Sequence, residues 1–271
     1  MYFDLPLGFN NFTMKKALQI SNGIAFIAMI FVNYLSNTGL INNNTNATVS
    51  QAYENLFTPA GYAFSIWGII YLLLLGFVIY QGIGLFSKTK DNNLATQVGW
   101  WFVISCVANS LWLFAWLYEL LFISLGIMLI LLFFLIKIIL RTGAQISSQP
   151  FEVRFFIWLP FSIYAGWISV ATIANIAALL TQLQWNGFGL SDTFWTVTMI
   201  FIAGLLNLIV SWKRNMSVFA IVGVWALVAI AVANQEENSS VFYSAIVASV
   251  VLLLSCALLF YKNWQARKTY L

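Results

Sequence analysis

Residues 120–140 read LLFISLGIMLILLFFLIKIIL, a run that contains a single charge, at Lys137. Its length and composition match the ~20 apolar residues that an α-helix needs to cross a bilayer. The whole 271-residue chain has a similar character, with 62% hydrophobic and 7% charged residues, whereas soluble domains carry about 25% charged residues. The sequence therefore predicts an all-α, polytopic membrane helix bundle, with the lipid bilayer as its surroundings.

Apolar stretches separated by polar breaks recur along the chain and predict about eight transmembrane helices. They lie near residues 17–36, 59–85, 97–118, 120–140, 155–181, 193–212, 217–234 and 241–261. Only the residues around Glu119 separate the third stretch from the fourth, which predicts a tight helical hairpin. Pro160 lies near the start of the fifth stretch, where a kink would be tolerated because neighbouring helices can satisfy the carbonyl that proline leaves free.

The distribution of Lys and Arg predicts the orientation, because cytoplasmic loops collect these residues. All twelve lie in the two tails or in alternate connections: Lys15, Lys16, Lys88, Lys90, Lys137, Arg141, Arg154, Lys213, Arg214, Lys262, Arg267 and Lys268. The opposite connections carry Glu54, Glu119, Asp192, Glu236 and Glu237 without any base. We therefore expect both tails, residues 1–16 and 263–271, in the cytoplasm. In the absence of a targeting extension we expect a bacterial inner (plasma) membrane.

Several chemistries are disfavoured by what the sequence lacks. The chain has no His, which removes the commonest general base and metal ligand. No carboxylate falls in the middle of a predicted span, no nucleophile has a base nearby, and no glycine-rich phosphate loop occurs. The bases are spread over the loops without forming one basic face, which argues against nucleic acid as a partner. We expect no catalytic residues, no metal site and no enzymatic activity.

Aromatic and amide side chains recur at helical spacing inside three predicted spans. They are Trp67 and Tyr71 in the second span, Asn109, Trp112 and Trp116 in the third, and Trp167, Ala171 and Asn175 in the fifth. With the predicted orientation these residues, together with Tyr62 and Thr172, all occupy the outer halves of their helices. Because exposing polar groups to lipid is costly, we expect them to face the bundle interior. There they could bind a flat apolar ligand, or could merely form hydrogen bonds from helix to helix.

The same residues resemble motifs of the tryptophan-rich sensory protein (TspO) family, which is related to the mitochondrial translocator protein. Trp167, Ser169, Ala171, Thr172 and Asn175 are similar to that family's W-x-S-x-A-T-x-x-N run in its fifth helix. The W-x-x-x-Y of the second helix is matched by Trp67 and Tyr71, and the N-x-x-W of the third by Asn109 and Trp112. One departure is Tyr62, which stands where the family usually has Trp.

The resemblance covers residues 17–185 and implies a five-helix core followed by three additional helices in residues 186–262. It implies a receptor or carrier that binds a porphyrin or haem-like tetrapyrrole, or a sterol-like molecule, for sensing, sequestration or transport. The loop from Asn37 to Thr58 would close the ligand pocket as a lid. Two alternatives remain open: a structural or accessory subunit of a larger membrane complex, in which the additional helices dock partners, and an enzyme that modifies a bound tetrapyrrole. The partners could be other membrane subunits or, in a homo-oligomer, other copies of the chain.

Overall fold

The computed structural model describes residues 11–85, 94–144 and 149–268, and within them every regular element is helical. The predicted tails are described only in part, since residues 1–10 and 269–271 lie outside these ranges, as do Lys88 and Lys90. The α-helices are α1 (Asn11–Leu35), α2 (Asn46–Ala52), α3 (Ile66–Gly82), α4 (Leu94–Val98), α5 (Trp100–Leu117), α6 (Leu121–Arg141), α7 (Phe151–Val153), α8 (Leu159–Gln182), α9 (Asp192–Arg214), α10 (Ser217–Ala233) and α11 (Ser239–Lys268).

Seven helical segments in the described part of the chain are long and apolar enough to cross a membrane. An eighth helix, α10, is apolar but has only 17 residues. Because lipid offers no hydrogen bonds to the backbone, apolar runs of this length are stable in a bilayer as helices. The protein is therefore an integral, multi-pass membrane protein with an all-helical bundle, as the sequence predicts.

The junctions between helices follow from local sequence. The predicted hairpin is present, since α5 ends at Leu117 and α6 begins at Leu121. A π-helical turn at Arg154–Trp158 precedes Leu159 and Pro160, where the sequence allows a kink. A proline nitrogen cannot donate a hydrogen bond to the preceding turn of the helix. In a π-helical turn the backbone hydrogen bonds shift from i→i+4 to i→i+5, which accommodates the missing bond. Segments α7 to α8 thereby form one continuous apolar span, Phe151–Gln182.

The last three helices pack directly on the earlier ones, with α10 in contact with α8, α9 and α11. The approach of α10 to α8 is close, because a Cβ placed on Gly166 would lie 3.2 Å from the Cβ of Val222. On its other side, α10 places Gly223 against the buried amide of Asn207 in α9. Glycines at these two contacts thus allow α10 to approach α8 and α9 closely.

Candidate functional site

An internal apolar cavity lies between α3, α5, α6, α8 and α10, and we call it the buried cavity. Its volume is about 60 Å³. It is lined by Asn46, Ser50, Tyr53, Phe57, Thr58, Pro59, Phe64, Trp67, Trp112, Trp116, Met128, Trp167, Val170, Ala171, Ala174, Asn175, Ala178, Ala226 and Ile230. The lining carries no charged side chain. Its chemistry suits an apolar molecule that is held by a few polar groups.

Six of the ten residues predicted from the sequence line this cavity: Trp67, Trp112, Trp116, Trp167, Ala171 and Asn175. The other four lie elsewhere. Tyr62 is 42% exposed and packs edge-on against Trp225 of α10, with 5.3 Å between ring centroids. Thr172 is buried and its hydroxyl donates to the carbonyl of Ile168 in its own helix.

Tyr71 and Asn109 take part in a layer of hydrogen bonds between helices. Asn33 of α1 donates to the Oδ1 of Asn109 at 2.8 Å and accepts a hydrogen bond from the Tyr71 hydroxyl. This layer joins α1, α3 and α5 beside the buried cavity. For these two residues the structure shows the helix-to-helix role, and the partner, Asn33, was absent from the predicted set.

The tryptophans that line the cavity form a stacked series. Trp67 stacks on Trp112 with centroids 6.2 Å apart and an interplanar angle of 27°, and Trp112 stacks on Trp116 at 6.1 Å and 24°. Trp167 meets Trp67 edge-on at 6.3 Å. These three indoles, together with Trp167, make this part of the wall aromatic, which favours aromatic partners.

Two of these indoles have unsatisfied hydrogen-bond donors. The Nε1 atoms of Trp112 and Trp167 are buried and have no partner, although both side chains are more than nine-tenths buried. Asn46, from the lid, adds a buried Oδ1 acceptor that is also without a partner. Because a buried unsatisfied polar group costs about 1–3 kcal/mol, the cavity wall is a place where a polar atom of a ligand would be stabilised.

The lid, residues 37–58, covers the cavity and contains α2. Thr45 caps this helix in a reciprocal capping box with Thr48, which explains why a short polar segment is helical here. Five lid residues, Asn46, Ser50, Tyr53, Phe57 and Thr58, line the cavity, together with Pro59 directly after the lid. The polar loop predicted to be a lid therefore supplies a substantial part of the wall.

A hydrogen-bonded latch fastens the lid to the hairpin between α5 and α6. The Tyr53 hydroxyl donates to Glu119 Oε2 at 2.7 Å, and Asn44 donates to Glu119 Oε1 at 3.1 Å. Gln182, at the end of α8, donates to both the Tyr53 hydroxyl and the Glu119 carbonyl. The hydrogen bond to Glu119, together with burial, raises the pKa of Tyr53 above its ordinary value. The latch thus depends on a neutral Tyr53.

Glu119 occupies an unusual backbone conformation for this role. Its φ is +58°, in the left-handed region that costs about 1–2 kcal/mol for a residue with a Cβ and little for glycine. The hairpin would be less strained with glycine, but glycine would offer no carboxylate to Tyr53 and Asn44. The Glu119 side chain therefore serves to hold the lid, since the turn itself does not require a carboxylate.

The helix α10 also contributes to the site, through Ala226 and Ile230. It is joined to the region around the lid by three hydrogen bonds, from Ala60 N to the Ala229 carbonyl, from Trp225 Nε1 to the Ala63 carbonyl, and from Asn234 Nδ2 to the Leu56 carbonyl. Aromatic and amide patterns could not have identified α10. Its alanines at positions 226, 229 and 233 were the available signal, since small residues allow close helix approach.

These features define a multi-pass membrane helix bundle with an internal aromatic cavity under a lid, which is a ligand-binding or transport class of membrane protein. The chain belongs to the family described as TSPO-like protein, whose sequence model matches residues 19–258. The matched region extends past residue 185 and includes α9, α10 and most of α11. Neither the curated proteins nor the solved structures give a match to this chain.

Proposed function

We propose that the protein binds a flat, largely apolar ligand, tetrapyrrole-like or sterol-like, in the buried cavity, for sensing, sequestration or transport. The observation that carries the proposal is the pair of partnerless indole N–H groups, of Trp112 and Trp167, in a largely apolar and uncharged wall. A ligand that offers a hydrogen-bond acceptor to either group would relieve its burial cost. Membership of the TSPO-like family supports the same general role.

The shape of the wall favours a flat molecule. The stacked faces of Trp67, Trp112 and Trp116 lie within 27° of parallel for each neighbouring pair. A planar conjugated ring can pack against this aromatic series and gain about 0.5–1.5 kcal/mol per aromatic contact beyond the burial of its area. A tetrapyrrole combines this flatness with the nitrogen or oxygen acceptors that the indoles need.

Binding requires the cavity to enlarge. Its volume of about 60 Å³ is well below the roughly 300–1,000 Å³ of cavities that bind drug-sized ligands. The helices are packed tightly, whereas the lid is held over the cavity by the hydrogen bonds of Tyr53, Asn44 and Gln182. Displacement of the lid therefore enlarges the cavity at the least energetic cost.

A binding role fits the wall better than a catalytic one. The lining offers amide, hydroxyl and indole groups, together with the thioether of Met128, but no carboxylate and no lysine or arginine. Such groups hold and orient a ligand, whereas general acid–base catalysis needs a group that titrates near the working pH. We therefore propose a receptor or carrier.

The test is equilibrium binding to the purified protein in lipid nanodiscs. A metal-free porphyrin and a sterol are titrated separately, with porphyrin absorbance and tryptophan quenching as the readouts. Replacing Trp112 or Trp167 by Phe keeps an aromatic face and removes the N–H, so each change should weaken binding about fivefold, the equivalent of one hydrogen bond of about 1 kcal/mol. The matched control is Trp100→Phe, at a residue that is 50% exposed and outside the cavity wall. The proposal is wrong if neither probe binds, or if all three variants bind as the wild type does.

A further inference from the structure

A second, open cavity lies at the end of the bundle that carries the lid, and we call it the acidic vestibule. Its volume is about 500 Å³. It is bounded by the lid, the end of α8, the start of α9 and the turn between α10 and α11. The lining consists of Glu54, Asn55, Leu56, Ala177, Leu180, Thr181, Gln184, Trp185, Asp192, Trp195, Thr196, Met199 and Glu237. It is large enough to admit a molecule of the size proposed for the buried cavity.

The vestibule and the buried cavity lie on opposite sides of one short piece of chain. Tyr53 and Phe57 line the buried cavity, whereas residues 54–56, which lie between them, line the vestibule. On α8, Ala178 faces the buried cavity and Ala177 the vestibule. This dividing segment is part of the lid, so the displacement that enlarges the buried cavity also joins it to the vestibule.

The charge of the vestibule has one sign. Glu54, Asp192 and Glu237 come from three separate connections and line the same space, and all three are exposed. No lysine or arginine is among the lining residues that the structure describes. The sequence also has no base in the connections 37–58, 182–192 and 234–239 that surround it. The local potential is therefore negative, and no neighbouring charge cancels it.

Two indole rings complete the vestibule wall. Trp185 and Trp195 lie with centroids 5.0 Å apart at an interplanar angle of 57°. The Trp195 N–H donates to the Gly187 carbonyl at 2.8 Å, which fixes that ring. Rings of this kind attract apolar groups, and their faces attract cations. A neutral or cationic amphiphile thus finds favourable partners here, while a carboxylate-bearing one meets like charges.

We propose that the ligand reaches the buried cavity through the acidic vestibule, and that the vestibule makes the protein select neutral or cationic ligands over anionic ones. The inference rests on the proposed function, since it concerns the ligand of the same site. It narrows the class of tetrapyrrole-like ligands to those without free carboxylates, such as esters, or to those with a cationic substituent. The partnerless N–H groups of Trp112 and Trp167 supply the polar contact at the far end of this route.

The experiment compares three porphyrins with the same ring: one with neutral alkyl substituents, one with two carboxylates and one with two quaternary ammonium groups. Association rates are measured by stopped flow in nanodiscs of zwitterionic lipid, at low salt and at about 0.5 M salt, where screening limits electrostatic attraction to a few Å. At low salt we expect the cationic probe to associate about tenfold faster than the anionic one, and this ratio to shrink at high salt.

The variant Glu54→Gln/Asp192→Asn/Glu237→Gln removes the three carboxylates with little change in shape, and should bring the three rates together. The control is Glu152→Gln, a change of an exposed carboxylate that does not line the vestibule. Equal rates for the three probes, or a charge dependence that the triple variant leaves intact, would overturn the inference and indicate access from the lipid. In either case the neutral probe tests the proposed function separately, because its affinity should still fall in Trp112→Phe and Trp167→Phe.

Discussion

Replacing Tyr53 by Phe should loosen the lid while leaving the wall of the buried cavity nearly unchanged. The change removes one hydroxyl, which donates to Glu119 at 2.7 Å and accepts from Gln182 at 3.2 Å. A hydrogen bond to a charged group contributes about 1.5–3 kcal/mol, and the partial exposure of this pair reduces that figure. We expect lid closure to lose about 1 kcal/mol, which corresponds to about a fivefold increase in the open population.

Hydrogen–deuterium exchange of the lid measures this population directly, since the amides of α2 exchange when the lid opens. Protection of residues 46–53 should fall about fivefold in Tyr53→Phe, and porphyrin should associate and dissociate faster. The matched control is Tyr243→Phe, whose ring is 64% exposed and lies on α11, away from the lid. If lid exchange is the same in both variants and in the wild type, the latch does not hold the lid, and the reasoning is refuted.

Three further predictions follow from single contacts. Ionisation of Tyr53 removes its hydrogen-bond donor and places an anion beside the Glu119 carboxylate. Lid closure should therefore hold at neutral pH and be lost as pH rises above about 10. Hydrogen–deuterium exchange of the lid, measured against pH, should show this loss in the wild type and not in Tyr53→Phe. Gly223→Ala should lower the midpoint of thermal unfolding, because the new Cβ would lie 2.6 Å from Asn207 Oδ1 and overpacking costs about 1–3 kcal/mol. The double variant Gly223→Ala/Asn207→Ala should recover part of that loss. Equal midpoints for Gly223→Ala and the wild type would contradict the prediction. Asn33→Leu should cost about 1–3 kcal/mol by leaving the Asn109 side chain without its partner, a loss that denaturant unfolding would detect and that an unchanged unfolding curve would disprove.

The helices were predictable from the sequence because the bilayer simplifies the problem. In lipid every backbone group must bond within its own segment, so an apolar run such as residues 121–141 has one stable conformation. Prediction was weaker at the ends and at special turns. The first helix begins at Asn11, before the apolar stretch that starts near residue 17, and a π-helical turn precedes Pro160. These details depend on the polar residues at the helix ends and on the geometry of the backbone hydrogen bonds, and hydropathy carries no information about either.

Of the site, the sequence predicted only those residues that helical spacing places together on one face of a helix. Spacing places Trp112 and Trp116 on one face of α5, and both line the buried cavity. It cannot show which neighbour each side chain meets, so it could not identify Asn33, which accepts a hydrogen bond from the Tyr71 hydroxyl while the Tyr71 ring stacks on Trp67. It also could not identify Ala226 and Ile230, because their contribution depends on how α10 packs against α8.

The contacts of α10 give the lid one fixed end and one releasable end. Beyond Asn55 the chain is held to α10 through the Leu56 and Ala63 carbonyls and the Ala60 amide, and none of these hydrogen bonds involves an ionisable group. Before Asn55 it is held by the Glu119 carboxylate and by the Leu117 carbonyl, which accepts hydrogen bonds from Asn42 and Asn44. The part of the lid before Leu56, which includes Glu54 and Asn55 of the dividing segment, should therefore move outward while the chain from Leu56 onward stays held to α10. The last three helices, which first looked like an appendage to a five-helix receptor, would then determine how far the site can open and how large a guest it can admit.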